Sequence, residues 1–397
     1  MKRIIFLLLC ISMLLPAMPV SSMAAAQKET LNIHGVKVPY NINDKGILQI
    51  TLTEQIEAQI WDKIKDDVMK NLVFIEIDLS GFENLNGFTL SPSSWSAIKV
   101  KLLDDAELFI SSTAAMMIEE NAAGGDAILE AVYRFTKEGQ ISGIDLSTTS
   151  GSSKKIEAVG VVSLPTKDYD LNLQNMVLSH DGAPIVKSCV LDDVFYAAVS
   201  LSGKYTVIEA QPVEFKDEIP SWAKSAVDWM SARGAVKGSG GLFRPNDGIT
   251  RAEFMTMFAR LYNTKNDEIS SYYKFKDLSD IPEWALWSST GLLFDVEYDG
   301  FLYPNKVMTC GEVVDAIFKY IAISDLYYDT DGTQRIPFTG KEAEAGSQDL
   351  EANRLSRAGI LSRDGEKADM DEIATRAQAA ELLCRFAKWE TFNRTYR

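Results

Sequence analysis

Arg251 and Arg376 stand where an arginine is out of place. Each directly follows a threonine, Thr250 or Thr375, that opens a segment of helical periodicity. A cation in the first helical turn opposes the helix macrodipole by about 0.3–1 kcal/mol, so it needs a compensating partner. The planar guanidinium fork matches a carboxylate with two parallel hydrogen bonds. That carboxylate has two candidate sources, an acidic side chain of this chain or an acidic ligand. Trp222 and Trp284 begin two other helical segments, where an indole can stack on the apolar face of a sugar or close a core. Asp217 and Asp277 can accept sugar hydroxyls or hold a turn. These six residues form the candidate binding set.

Catalytic chemistry has no comparable signal. The chain holds two histidines, His34 and His180, neither at triad or metal-ligand spacing. Gly-x-Ser-x-Gly, His-Glu-x-x-His and phosphate-binding glycine loops are all missing. "ENAAGGDAI" (120–128) reads as a loop. No catalytic residue, metal or cofactor is expected, and the chain reads as a non-enzyme.

The elements that must position the six residues form a repeat. "ITRAEFMTMFARL" (249–261), "MTCGEVVDAIFKY" (308–320) and "ATRAQAAELLCRF" (374–386) align without gaps. Thr250 is followed at three residues by Glu253, Thr309 by Glu312 and Thr375 by Gln378, the spacing of a capping box. One residue later an apolar stripe begins, at 254, 257, 258, 261 in the first copy and at equivalent positions in the others. This is one face of a helix. Upstream, "FKDEIPSWAKSAVDWMSARGAV" (215–236) parallels "FKDLSDIPEWALWSSTGLLF" (275–294), with Gly234 and Gly291 as helix stops. "LFRPN" and "LYPN" follow, and place Pro245 and Pro304 five residues before the threonine. Each unit is helix, loop, helix. The second copy replaces Arg-Ala with Cys310-Gly311. The third keeps "LSRAGIL" but lacks the tryptophan and proline.

Residues 27–211 differ. Three units, "ILQITLTEQIEAQI", "GFTLSPSSWSAI" and "AELFISSTAAMMI", each read as strand, N-cap and short helix, with caps at Thr53, Ser91 and Ser111 and Pro92 at a first helical position. The longest helix is expected over 54–70, then a strand over 72–79. Beyond Gly139, "STTSGSSKK" (147–155) reads as a loop. Strands are expected within 156–164, 170–179, 183–191, 194–201 and 204–210.

The chain has 397 residues and a formal charge of −16, from 40 Lys+Arg against 56 Asp+Glu. That balance argues against nucleic acid, which needs a basic face. Residues 1–26 have a basic start, a short apolar run broken at Pro16 and small residues near Ala24–Ala26, the pattern of a secretory signal. No other stretch is apolar enough to span a membrane. Cys189, Cys310 and Cys384 are too sparse for a disulfide framework. Cys310 and Cys384 could pair, but buried free thiols are expected.

The C-terminal motifs resemble S-layer homology (SLH) repeats, whose pattern is aromatic-x-Asp, Trp-Ala, Phe-x-Pro and Ile-Thr-Arg-Ala-Glu. The resemblance covers repeats at 212–264, 272–324 and 337–392, the second and third divergent. It implies an α+β protein, in which a strand-rich module (27–211) precedes an all-α pseudo-trimer of three repeats. It also implies a secreted protein held on the cell wall through secondary cell-wall polysaccharide bearing pyruvylated N-acetylmannosamine. Arg251, Arg376, Trp222, Asp217, Trp284 and Asp277 would then be glycan-binding residues. Two alternatives stay open: a lattice subunit whose N-terminal module self-associates, and a wall-anchored carbohydrate-active enzyme.

Overall fold

The computed structural model describes residues 29–68, 74–82, 84–110, 112–121, 127–136, 140–150, 158–167, 169–180, 182–185, 187–261, 275–283, 285, 300–323, 338–339, 355, 360 and 368–396. The signal segment, Trp284, the rest of the first helical segment of the second copy and most of "LSRAGIL" lie outside the described residues.

The N-terminal module is built from β1 (Thr30–Ile33), β2 (Val36–Ile42), β3 (Ile47–Leu52), α1 (Glu54–Val68), β4 (Ile75–Asp78), β5 (Gly87–Pro92), β6 (Ile98–Lys101), β7 (Glu107–Ile110), α2 (Ser112–Asn121), β8 (Ile128–Phe135) and β9 (Ile141–Thr149). It continues with β10 (Val159–Pro165), β11 (Met176–His180), β12 (Ala183–Pro184), β13 (Ser188–Leu191), β14 (Val194–Ser200) and β15 (Gly203–Glu209). A nine-stranded sheet runs β1-β2-β3-β5-β8-β9-β15-β11-β12, and a six-stranded sheet runs β13-β14-β10-β7-β6-β4. Pairing is antiparallel except β3–β5 and β4–β6, which are parallel. Both sheets feed one core. Ile50, Leu52, Phe88 and Leu90 come from the larger, and Ile77, Val100, Leu108 and Val162 from the smaller.

Two expectations for this half need correction. The helix expected from Pro92 does not form. Pro92 ends β5, paired with Leu52. The turn after it is held by the buried Glu57 carboxylate, which accepts from Ser93 N at 2.7 Å and Ser94 Oγ at 2.8 Å. A carboxylate supplied by α1 thus takes the amides that a helix would have used. The loop expected from Ser147 begins later, because β9 extends to Thr149. Thr148 is fully buried, and its hydroxyl donates to Leu201 O at 2.9 Å. Strands β1, β2, β6, β8 and most of β9 also form, outside the expected strands.

The C-terminal unit contains α3 (Ser221–Ala232), α4 (Arg251–Leu261), α5 (Cys310–Ile323) and α6 (Arg376–Tyr396). It is not purely helical. A two-residue parallel ladder joins β16 (Phe338–Thr339) to β17 (Ala368–Asp369). Three further backbone bonds close a triangle: Ile249 N donates to Ala374 O, Met308 N to Ile249 O, and Ala374 N to Met308 O, each at 2.9 Å. These residues occupy the same position in the three aligned segments. The helix starts obey the same cyclic order. Arg251 N and Ala252 N donate to Lys306 O and Pro304 O; Cys310 N and Gly311 N to Glu372 O and Met370 O; Arg376 N and Ala377 N to Asp247 O and Pro245 O. Amides orphaned in the first turn of each helix are therefore satisfied by the loop of the next segment. Apolar stripes fill the centre, where the Phe258 ring meets Tyr320 and Phe386 at centroid distances of 5.0 and 5.9 Å.

The two units share an interface because β14 serves two cores. Its Phe195, Ala197 and Val199 face the N-terminal core, and its alternate Tyr196 packs with the helices. Arg233, just past α3, is 2% exposed and donates to Met176 O at 2.7 Å and Ser188 O at 3.1 Å. Lys187 pairs at 3.1 Å with Glu390, which is fully buried on α6. Cys189, Cys310 and Cys384 are free thiols.

Candidate functional site

Each capping threonine and its Glu or Gln exchange hydrogen bonds in both directions. Thr250 N donates to Glu253 Oε2 at 3.0 Å, Thr309 N to Glu312 Oε2 at 3.0 Å and Thr375 N to Gln378 Oε1 at 2.7 Å. The return bonds, from the amides of Glu253, Glu312 and Gln378 to the threonine hydroxyls, span 3.2–3.3 Å. The glutamates have a second duty. Arg251 of the first segment reaches Glu312 of the second at 3.3 Å and donates to Leu302 O at 2.9 Å. Arg376 of the third segment pairs with Glu253 of the first and donates from Nε to Phe243 O at 2.8 Å. Its guanidinium also lies over the Phe243 ring, 5.3 Å from the centroid. Burial alone would raise the Glu312 carboxyl. Lys306, at 2.8 Å, with the Thr309 amide and Arg251, outweighs that and holds it below the usual range. The two arginines thus sit against acidic residues of this chain, Arg251 with a side chain only 6% exposed.

Asp217 and Asp277 act alike. Asp217 accepts from Phe243 N at 2.8 Å and from Arg244 N. Asp277 accepts from Leu302 N at 2.9 Å and Tyr303 N at 2.7 Å. Arg244 and Tyr303 have φ of 58° and 52°, a left-handed conformation that non-glycine residues seldom adopt. Each aspartate therefore clamps a strained loop. For Asp217, partial burial raises the carboxyl, but the two amides prevail and leave it lowered. Trp222 is 45% exposed at the start of α3.

A cleft of about 450 Å³ opens between α4 and the start of α6. Lys237, Arg244, Arg260 and Arg376 line it, with Glu253 and Thr256. Of the six candidate binding residues only Arg376 reaches it; Arg251, Asp217, Asp277 and Trp222 do not line it, and Trp284 lies outside the described residues. Lys237, Arg244 and Arg260 had not been singled out. Arg244 stands inside "LFRPN", where the second copy has tyrosine, and that difference was the available signal. Arg260 lies in the last turn of α4, where a cation suits the helix dipole. Burial pushes its pKa down, so an anion brought beside it gains from restoring a compensated charge. The cleft offers charge and hydrogen-bond donors, but no nucleophile with an adjacent base. Among the described residues no three His, Cys, Asp or Glu side chains gather to hold a metal, and no helix is long and apolar enough to cross a membrane. His34 Nε2 accepts from Glu76 N at 2.9 Å, and His180 packs on Tyr205.

Residues 214–255 match the S-layer homology domain. The chain is 35% identical over 88 residues to a cellulosome-anchoring protein of Acetivibrio thermocellus, 21% of this chain and 20% of that one. It is 26% identical over 199 residues to an S-layer protein of Bacillus licheniformis, 47% of this chain and 21% of that one. An endo-1,4-beta-xylanase A of Thermoanaerobacterium saccharolyticum is 36% identical over 80 residues, 20% of this chain and 7% of that one. The chain thus spans about a fifth or less of the length of these curated relatives. The chain thus carries, in its C-terminal half, a segment that matches the S-layer homology domain.

Proposed function

We propose that the C-terminal unit comprises three S-layer homology repeats closed into a ring, and that this ring anchors the protein to an anionic cell-wall polysaccharide. The N-terminal two-sheet module is then a non-enzymatic part displayed outward. The observation that carries this reading is the cationic cleft. It lies against the matched segment, and its Arg260 has no hydrogen-bonding or ionic partner for its guanidinium group among the described residues. A strongly acidic chain that gathers Lys237, Arg244, Arg260 and Arg376 in one concavity has a place for an anion. A sugar carrying a pyruvate ketal supplies the carboxylate that a guanidinium fork fits. The cyclic hydrogen bonds of Ile249, Met308 and Ala374 support the three-repeat reading. The relatives named as xylanase or S-layer protein are similar over part of their length, so catalysis is not carried over from them.

The experiment is co-sedimentation of the full chain with purified walls before and after the polysaccharide is stripped by acid. Binding lost on stripping supports the reading. Equal binding to stripped walls refutes it. A second reading, favoured by the 199-residue similarity to an S-layer protein, is a lattice subunit. Ordered two-dimensional assembly of the purified chain without walls would favour it.

A further inference from the structure

The aligned helices α4, α5 and α6 place Arg260, Lys319 and Arg385 at one equivalent position, and Thr256, Asp315 and Glu381 one turn earlier. On α5 the cation is neutralised, with Lys319 Nζ 2.7 Å from Asp315. On α6 it is neutralised as well, with Arg385 2.7 Å from Glu381. On α4 the acid is replaced by Thr256, whose hydroxyl turns back on its own helix and donates to Ala252 O at 2.7 Å. Arg260 therefore keeps a charge that nothing among the described residues pairs. The neighbouring positions follow the same trend. Arg244 of the first segment corresponds to Tyr303 of the second and Asp369 of the third. Arg376, which lines the first cleft, corresponds to the deeply buried Arg251 and to Cys310 around the other two junctions. The first cleft thus combines Arg244, Arg260 and Arg376 against Glu253. At the second, Arg251 and Lys306 are both tied to Glu312. At the third, Arg385 is tied to Glu381, and Asp369 stands where the first segment has Arg244.

We propose that, of the three junctions as the described residues build them, this cleft is the anion-selective groove, and that Arg260, released by the threonine at 256, sets its affinity for a carboxylate-bearing sugar. The inference rests on the reading that the C-terminal unit binds wall glycan. The residue one turn before the cation acts as the selector: an acid there closes the groove to anions, and a hydroxyl leaves it open.

The test is calorimetric titration of the full chain with N-acetylmannosamine carrying a pyruvate ketal, and with the same sugar lacking it. The expected result is one site per chain that needs the ketal. Arg260→Gln and Thr256→Glu should each weaken binding by about tenfold or more, the loss of a charge-assisted contact. Lys319→Gln and Arg385→Gln should leave it within about twofold. Thr256 is 3% exposed, so Thr256→Glu can fail to fold. Arg260→Gln, at a partly buried position, then decides, with circular dichroism confirming its fold. Two or three sugars per chain, unchanged affinity in folded Arg260→Gln, or tenfold loss in Arg385→Gln each overturns the inference. So does a chain that sediments with walls yet ignores the ketal sugar, although anchoring then stands. A chain that binds neither walls nor sugar overturns both readings.

Discussion

Arg251→Met separates a fold role from a ligand role at the arginine of the capping motif. The Arg251 guanidinium makes a 2.9 Å bond to Leu302 O and a 3.3 Å contact to Glu312, and its side chain is 6% exposed. Methionine keeps the apolar stem, so little packing is lost. Removing the charge leaves a buried carbonyl without its donor. A hydrogen bond involving a charged group contributes about 1.5–3 kcal/mol. Stripping one partner from a buried ion pair costs about 3–5 kcal/mol. Glu312 keeps Lys306 at 2.8 Å, so the upper range does not apply, and the expected loss is about 2–3 kcal/mol. At about 2–4 °C per kcal/mol, the melting temperature should fall by about 4–12 °C. The assay is urea and thermal unfolding followed by tryptophan fluorescence, with wall binding measured on the same folded protein. Arg251→Lys should recover less than half of the stability, because an ammonium cannot hold Leu302 O and Glu312 as a fork does. An unchanged unfolding midpoint in Arg251→Met, together with tenfold weaker wall binding, would refute this reasoning and move Arg251 to the glycan.

Thr250→Ala should cost about 0.5–2 kcal/mol, the usual range for a lost helix cap; an unchanged urea midpoint would remove the capping role from the motif. Arg233→Met should destabilise the chain by about 2–5 kcal/mol, since Met176 O and Ser188 O lose their donor at a buried interface; an effect under about 0.5 kcal/mol, the level of an ordinary surface substitution, would mean the interface does not depend on it. Glu312 and Asp217 have carboxyls held below their usual range. The stability they contribute is present above the unfolded values, about 3.9–4.3, and is lost as pH falls through the folded ones. Unfolding midpoints should therefore drop below about pH 4, and Glu312→Gln should flatten that drop; an identical acid profile would contradict it. Cys310→Arg alone should not stabilise, whereas Cys310→Arg with Gln378→Glu should, which a double-mutant cycle by denaturant unfolding can measure.

The helical half was more legible in the sequence than the strand-rich half, for a physical reason. A capping box and an i, i+3, i+4, i+7 stripe are local signals, and α4, α5 and α6 open at residues 251, 310 and 376 as that pattern expects. Strand β8 owes its place to Phe88 and Ala131 pairing across the sheet, a non-local contact that no local pattern reveals. The turn after Pro92 is not legible locally because its amides are satisfied by Glu57, which lies 36 residues away from Ser93. Among the site residues, Arg251 and Arg376 were legible as cations in need of an anion, but which anion each meets depends on the cyclic order of three segments. The role proposed for Arg260 was hidden because it lies in what Thr256 lacks. That lack becomes visible only when Asp315 and Glu381 are seen holding the equivalent cations.

Arginine and acid rise and fall together around the ring. Arg251 faces Glu312, and Arg376 faces Glu253. The same order sets Cys310, whose amide donates to Glu372 O, toward the third segment, where the capping position is the neutral Gln378. An arginine at 310 would bring its charge against an amide, and a glutamate at 378 would bring a carboxylate against a thiol. Either change alone leaves a partly buried charge uncompensated, which is costly. The neutral pair avoids both while Gln378 still closes its capping box with Thr375. The arginine beside the capping threonine thus joins neighbouring segments at both places where it occurs. Under the proposed anchoring role, anion recognition would fall to the other cations that line the first cleft, Lys237, Arg244 and Arg260.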